Sequence, residues 1–138
     1  MNKSIQQGFT LIEVMVVVVI LGILAAVIIP NVIGKDEQAR RTLATTSLSN
    51  VANALEMYRL DNHKYPTTQE GLEALVNKAA SAKVFPQGGY LKSLPNDPWD
   101  NPIQYVSPGT GGKSYDLYSF ASDGQEGGEG DNADIYHK

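Results

Sequence analysis

The sequence predicts an α+β fold. One long N-terminal helix, half transmembrane and half amphipathic, packs on a small antiparallel β-sheet head that carries a long C-terminal loop. Three observations predict it. An almost unbroken apolar run fills residues 9–29, an amphipathic stretch follows it to about residue 60, and two short alternating segments come later. The length of 138 residues corresponds to one compact domain plus any attached segment.

The apolar run is interrupted only by Thr10, Glu13 and Gly22. At a helical rise of ~1.5 Å per residue it reaches roughly 30 Å, the thickness of the hydrocarbon core of a bilayer. The alternative is a discarded signal peptide, but the apolar region of such a peptide is typically about 7–15 residues long. We therefore predict a retained transmembrane helix over residues 9–30.

Glu13 places a carboxylate inside this run. Because a carboxylate costs roughly 2.5–3.5 kcal/mol in a bilayer-spanning helix, its presence indicates a function. If the chain is cut between Gly8 and Phe9, the new α-amine lies four residues from Glu13. The amine of a neighbouring subunit would then pair with this carboxylate. Alternatively, Glu13 snorkels near the helix end and interacts favourably with the helix dipole. The residues alone support the two interpretations equally.

An amphipathic helix continues after Gly34, and we predict that the whole helix runs from Phe9 to Leu60 with a soft spot from Pro30 to Gly34. Apolar residues recur on one face at steps of four and three and are predicted to be core: Ala44, Leu48, Val51, Leu55 and Tyr58. A capping box, Thr67 to Glu70, predicts a short helix through Val76.

Two strands are predicted in the head, at Ile103–Val106 and Tyr115–Ser119, joined by the Pro- and Gly-rich hairpin connection 108–112. Before them lies a loop-rich stretch, residues 79–101. Its apolar side chains are predicted to anchor it to the head by burial: Tyr90, Leu91, Leu94 and Trp99.

Composition excludes several kinds of site. The chain has 11 Lys and Arg against 15 Asp and Glu, a formal net charge of -4, so no nucleic-acid footprint is expected. It has no cysteine, which excludes disulfides, thiolate metal sites and a cysteine nucleophile. Neither G-x-S-x-G nor H-E-x-x-H occurs, and we predict that the protein is not an enzyme.

The segment Gly8-Phe9-Thr10-Leu11-Ile12-Glu13, followed by the apolar run, resembles the prepilin signature of type IV pilins and secretion pseudopilins. In that family a prepilin peptidase cuts after the glycine and methylates the new N-terminal phenylalanine. The resemblance implies that Gly8 is the cleavage position, Phe9 the methylated residue and Glu13 the acid that guides assembly. Residues 1–8 are then a prepilin leader, and residues 31–138 a periplasmic head that includes the amphipathic helix.

Motifs in the head resemble those of the core (major) pseudopilin of type II secretion systems: Met57 to Asn62, Tyr65 to Thr68, Glu70 to Leu72, Gly88 to Tyr90, Leu94-Pro95 and Asp97 to Trp99. The resemblance implies a homopolymeric pseudopilus that helps to export folded proteins across the outer membrane. Its expected partners are minor pseudopilins, the prepilin peptidase and the inner-membrane secretion platform. The alternative is a type IV pilin used for adhesion or motility, although many of those close their C-terminal region with a disulfide.

The same resemblance implies the location and orientation of the protein: it crosses the bacterial inner membrane once, with the head in the periplasm. Charge does not establish this orientation. Basic residues follow the span (Lys35, Arg40 and Arg41), so the positive-inside count does not favour a cytoplasmic N-terminus.

The C-terminal segment 123–134 combines five acids with four glycines: Asp123, Glu126, Glu129, Asp131 and Asp134. By composition it is a solvated acidic loop or a site for a hard cation, and oxygen ligands with neither Cys nor His favour Ca²⁺ over zinc or copper. The resemblance implies a structural Ca²⁺ site, because core pseudopilins bind calcium in this loop. The ligands that it implies are Asp123, Asp131, Asp134 and the backbone carbonyl of Phe120, with Glu126 and Glu129 left as loop charges.

Overall fold

The computed structural model describes residues 8–138, and for residues 27–34 it describes the backbone alone. Residues 1–7 of the predicted leader therefore lie outside the described part. The chain divides into two compact units, the first ending at Asp36 and the second comprising Glu37–Lys138. The predicted division into residues 1–8, 9–30 and 31–138 stays a prediction.

One long helix, α1, comprises Leu11–Asn62, so it begins and ends two residues later than the sequence predicted. In the first unit the large apolar side chains of this helix, as far as Leu24, point outward on all sides. From Leu11 to Leu24 each of them is 50–79% exposed. Among residues with described side chains, no helix combines the length and apolarity needed to span a bilayer, and residues 27–30 of the predicted span lie outside that set.

The second unit is built on the C-terminal half of α1. The predicted stripe is confirmed as core, because Ala44, Leu48, Val51, Leu55 and Tyr58 are each at most 1% exposed. They pack in one cluster with residues from the rest of the head: Leu72, Leu75, Ile103, Leu117, Ala121 and Ile135. The face that the 3.6-residue period marks in the sequence is thus the face on which the head is assembled.

The predicted helix from Thr67 through Val76 is wrong in extent. The capping box forms, with the Thr67 backbone N–H donating to Glu70 Oε2 at 2.9 Å and the Glu70 N–H donating to Thr67 Oγ1 at 3.3 Å. It is followed by a single 3₁₀ turn, Leu72–Leu75. Gly71 lies between them with φ +60° and ψ -166°, a conformation that interrupts a right-handed helix.

Three short strands form the sheet: β1 at Gln104–Val106, β2 at Asp116–Ser119 and β3 at Ile135–Tyr136. Their order is β1-β2-β3 and both pairs are antiparallel. The two predicted strands are confirmed, with a 3₁₀ turn at Thr110–Gly112 in their connection. The third strand was not predicted, because two residues are too few to show an alternating pattern.

The loop-rich stretch is anchored largely as predicted. Tyr90, Leu91 and Trp99 are partly buried against the core. Leu94 is a correction, because 37% of its surface is exposed. It lines a surface groove together with Pro95 and Asn96 and is not part of the core cluster.

Candidate functional site

The first candidate site is the start of α1. Glu13 Oε2 accepts hydrogen bonds from the Thr10 backbone N–H at 2.8 Å and from Thr10 Oγ1 at 2.9 Å, and the Glu13 N–H donates to Thr10 Oγ1 at 3.3 Å. This is a reciprocal capping box. The residue that precedes Thr10, Phe9, is 88% exposed. In a single subunit the Glu13 carboxylate is therefore bound by the N-terminal turn of its own helix.

Sequence reasoning missed Thr10, although the signal was present. Thr10-x-x-Glu13 is the same S/T-x-x-E pattern that was recognised at Thr67 and Glu70. The structure brings Gly8, Phe9 and Glu13 to one end of one helix, as the motif requires. Their roles in cleavage, methylation and assembly stay predictions.

The second candidate site is the C-terminal loop, where the predicted ligands differ in their surroundings. Asp134 is half-buried; its Oδ2 accepts the Gly127 N–H at 3.0 Å, and its Oδ1 is buried without a hydrogen-bond partner. Asp123 is exposed, and its Oδ1 accepts the Gln125 N–H at 3.1 Å. Asp131 is also exposed. The loop thus holds one buried carboxylate oxygen that still lacks a partner.

Within the described residues, no group of three His, Cys, Asp or Glu side chains is arranged to hold a metal ion. The three predicted carboxylates, Asp123, Asp131 and Asp134, are therefore not brought together as a set. The possible metal ligands in this loop are all oxygen atoms: the unpartnered Asp134 Oδ1, other loop carboxylates and backbone carbonyls such as that of Phe120. Such oxygen ligands suit a hard cation, which is coordinated by carboxylate and carbonyl oxygens together.

An unpredicted residue, Arg41 of α1, binds the same loop. Its Nη1 donates to the backbone carbonyls of Asp131 and Ala133, both at 3.0 Å. Within the loop, Ser122 Oγ donates to Asn132 Oδ1 at 2.6 Å. The sequence signal for Arg41 was weak, since it amounts to a basic residue on a helix and an acidic segment 90 positions later.

Two stacked rings lie beside the loop. Tyr118 of β2 and Tyr136 of β3 have centroids 4.9 Å apart and planes inclined by 24°. Burial raises the pKa of both phenols, and the nearby carboxylates of Glu126 and Asp134 raise these pKa values further. The negative charge of the loop therefore affects the titration of the two tyrosines at the adjoining end of the sheet.

Comparisons with known proteins cover nearly the whole chain. Residues 31–138 match the family model described as Type II secretion system (T2SS), protein G. Residues 3–29 match the model of the prokaryotic N-terminal methylation motif. The first match alone spans more than half of the chain.

Relatives agree with the family models. Type II secretion system core protein G of Pseudomonas aeruginosa is 54% identical, over 98% of this chain and 96% of that protein. The protein of the same name from Vibrio cholerae is 54% identical over 94% and 90%, respectively. A crystal structure of the major pseudopilin from the type 2 secretion system of enterohaemorrhagic Escherichia coli matches with a TM-score of 0.68 and 37% identity, covering 78% of this chain and 93% of that one.

Proposed function

Because the chain belongs to the type II secretion system protein G family, we propose that it is the major structural subunit of a pseudopilus. It is cleaved after Gly8, methylated at Phe9 and polymerised into a helical filament that helps to export folded proteins across the outer membrane. The family consists of structural pseudopilin subunits and is not an enzyme family. The alternative, a type IV pilin for adhesion or motility, is not favoured by the comparisons.

The observation that carries this proposal is the exposed apolar surface of α1. Every large apolar side chain from Leu11 to Leu24 is at least half exposed, and such a surface needs a cover. We propose two covers in succession. Before assembly the segment lies in the inner membrane as a single span with the head in the periplasm, and after assembly it packs against the same segment of neighbouring copies. Minor pseudopilins, the prepilin peptidase and the inner-membrane platform are the further partners.

In the filament, the Glu13 carboxylate binds the Phe9 α-amine of a neighbouring subunit. Two variants separate this role from helix capping. Glu13→Gln removes the charge but keeps a side chain that completes a capping box, whereas Thr10→Ala weakens the box and keeps the charge. We expect Glu13→Gln to abolish or strongly reduce filaments and Thr10→Ala to reduce them less. The control is Glu73→Gln, an exposed acid of the head.

Electron microscopy of assembled filaments and mass spectrometry of the mature protein provide the measurements. The expected mature chain begins at a methylated Phe9. A different N-terminus would overturn the processing assignment, and normal filaments from Glu13→Gln would overturn the pairing.

We propose in addition that the loop 123–134 binds a structural Ca²⁺. Asp134 Oδ1, buried without a partner, would bind it with Asp123, Asp131 and the carbonyl of Phe120. Bound Ca²⁺ would supply positive charge that offsets the repulsion among the loop carboxylates. Mg²⁺ suits the loop less well, because it prefers a small octahedral shell and retains its waters.

The calcium proposal predicts a melting temperature that depends on the ion. At a Ca²⁺ concentration about a hundredfold above Kd, binding adds roughly 2.7 kcal/mol, which corresponds to several degrees. Asp134→Asn should abolish this increase, whereas the control Glu126→Gln should retain it. Equal melting temperatures of the unmodified protein in Ca²⁺ and in chelator would return the segment to a solvated acidic loop.

A further inference from the structure

Strands β2 and β3 separate two groups of opposite charge. β2 follows Lys113 and leads into the acidic loop after Ser119, and β3 runs back from Asp134 to His137 and Lys138. The register places Ser119 opposite Ile135, and the His137 N–H donates to the Leu117 carbonyl at 2.8 Å. The acidic loop therefore lies at one end of the paired strands β2 and β3, which we call the β2–β3 ladder. The basic residues Lys113, His137 and Lys138 lie at the other end.

The basic end is a cleft of about 430 Å³. We call it the basic cleft, and its lining includes Lys113, His137 and Lys138 together with the rings of Tyr65 and Tyr115. The side chain of Lys113 is 62% exposed. One acid lies next to it, with Asp116 Oδ1 at 3.9 Å from Lys113 Nζ. Asp116 is buried, and its Oδ2 accepts the Thr110 N–H at 2.8 Å. Glu56, which accepts a hydrogen bond from Tyr65, is paired with Arg59. The two lysine charges of the cleft therefore exceed the single charge of Asp116.

The acidic end is the exposed part of the loop, which we call the acidic lobe: Asp123, Glu126, Glu129 and Asp131. Glu126 and Glu129 have no part in the proposed calcium site. They remain charged when a cation is bound at Asp134, so the lobe stays negative in both states. Asp134 lies beside the lobe and His137 lines the cleft, three residues further along the chain, which is roughly 10 Å in a strand. This separation between the two patches is about one Debye length at 0.1 M salt.

We propose that the basic cleft of one subunit receives the acidic lobe of a neighbouring copy in the filament. The inference rests on the proposed function, since it assumes that the chain polymerises. A helical filament needs heterologous contacts, in which two different patches of one subunit face each other on successive copies. The two ends of the β2–β3 ladder supply one such pair on the head. Their attraction acts mainly on orientation and register, while apolar packing of α1 supplies most of the cohesion.

Charge reversal tests the contact in the full-length, processed protein. Lys138→Glu reverses a charge in the cleft, and Glu129→Lys reverses one in the lobe. We expect each variant alone to raise the protein concentration needed for assembly by roughly two- to fivefold, as exposed ion pairs of this strength imply. Combining both variants in one chain should restore assembly, because each contact then joins opposite charges again. Lys78→Glu, an exposed lysine outside the cleft, is the matched control.

Crosslinking gives a second measurement that does not depend on the size of the electrostatic effect. The chain has no cysteine, so Lys138→Cys combined with Glu129→Cys introduces a single reactive pair. Mild oxidation of filaments should produce a ladder of linked subunits on a denaturing gel, and neither single variant should produce more than dimers.

The outcomes distinguish this inference from the function on which it rests. Normal assembly of both reversal variants, together with the absence of a crosslinked ladder, would overturn the contact and leave the filament role intact. If the unmodified, processed protein formed no filaments at all, the proposed function would fail and the contact with it. Recovery in the combined variant, with weakening at high salt, would establish the contact.

Discussion

Single buried polar side chains organise the parts of the head that have no regular secondary structure. Asp97 is 5% exposed and accepts hydrogen bonds from Ser119 Oγ at 2.6 Å, from the Asn101 N–H at 2.8 Å and from the Trp99 N–H at 3.1 Å. Asn62 at the end of α1 similarly accepts two backbone N–H groups of the loop-rich stretch. Backbone groups that no helix or strand satisfies are thus satisfied by side chains.

Tyrosine titration gives a prediction at the residue scale. Burial is the largest cause that raises the pKa of Tyr65, Tyr90 and Tyr105 to about 12, against an unfolded value near 10. The folded head therefore holds these protons more tightly than the unfolded chain does. The contribution of these tyrosines to the free energy of unfolding should be constant below about pH 10 and fall as the pH rises towards about 12.

Urea unfolding at a series of alkaline pH values measures this fall, and ultraviolet absorbance of the phenolates follows the titration directly. Tyr105→Phe should reduce the dependence, because one raised pKa is removed. Unfolding free energies that stay constant through pH 12 would contradict the prediction.

At the scale of elements, Arg41 connects the helix to the C-terminal loop. The loop contains four glycines and has no apolar side chain between Ser122 and Asn132, so packing contributes little to its order. The bonds from Arg41 to the carbonyls of Asp131 and Ala133 fix the end of the loop just before β3. The order of the loop therefore depends on the helix as well as on any bound cation.

Arg41→Ala should loosen this loop without unfolding the head. Hydrogen bonds from a charged donor contribute about 1.5–3 kcal/mol, so we expect a loss of stability of that order and faster hydrogen exchange across residues 123–134. Arg59→Ala is the control, because Arg59 pairs with Glu56 on the exposed side of the same helix. Exchange as slow in Arg41→Ala as in the unmodified protein would show that the loop orders itself.

For the molecule as a whole, the features that local sequence could predict are those with a local cause. The core stripe of α1 was predictable because helical periodicity repeats along one element, and β1 and β2 because their side chains alternate. The extent of the helix predicted from Thr67 through Val76 was not predictable in this way. Gly71, with a positive φ, interrupts the chain after a capping box that does form. The contact of Arg41 with the loop joins positions 90 residues apart, and no local pattern encodes it.

The candidate sites divide in the same way. Gly8, Phe9 and Glu13 lie within six residues of the chain, so a motif could single them out, whereas the capping contact between Thr10 and Glu13 was not predicted. The loop acids depend on how a glycine-rich segment folds back on itself. Their composition left a solvated loop and a hard-cation site open, and the calcium site stays a prediction, whereas the individual surroundings of Asp123, Asp131 and Asp134 appeared only in the structure.

The capping box at the start of α1 has a consequence for the reversibility of assembly. An unassembled subunit already has a partner for its acid, since Thr10 binds Glu13. Joining the filament, on the proposed pairing, exchanges this partner for an amine instead of rescuing a bare charge. The gain per subunit is then the difference between two satisfied states, which is smaller than the full cost of an isolated carboxylate in hydrocarbon. When a subunit leaves the filament its carboxylate returns to Thr10, so the pairing by itself does not prevent disassembly, and apolar packing of α1 supplies most of the cohesion.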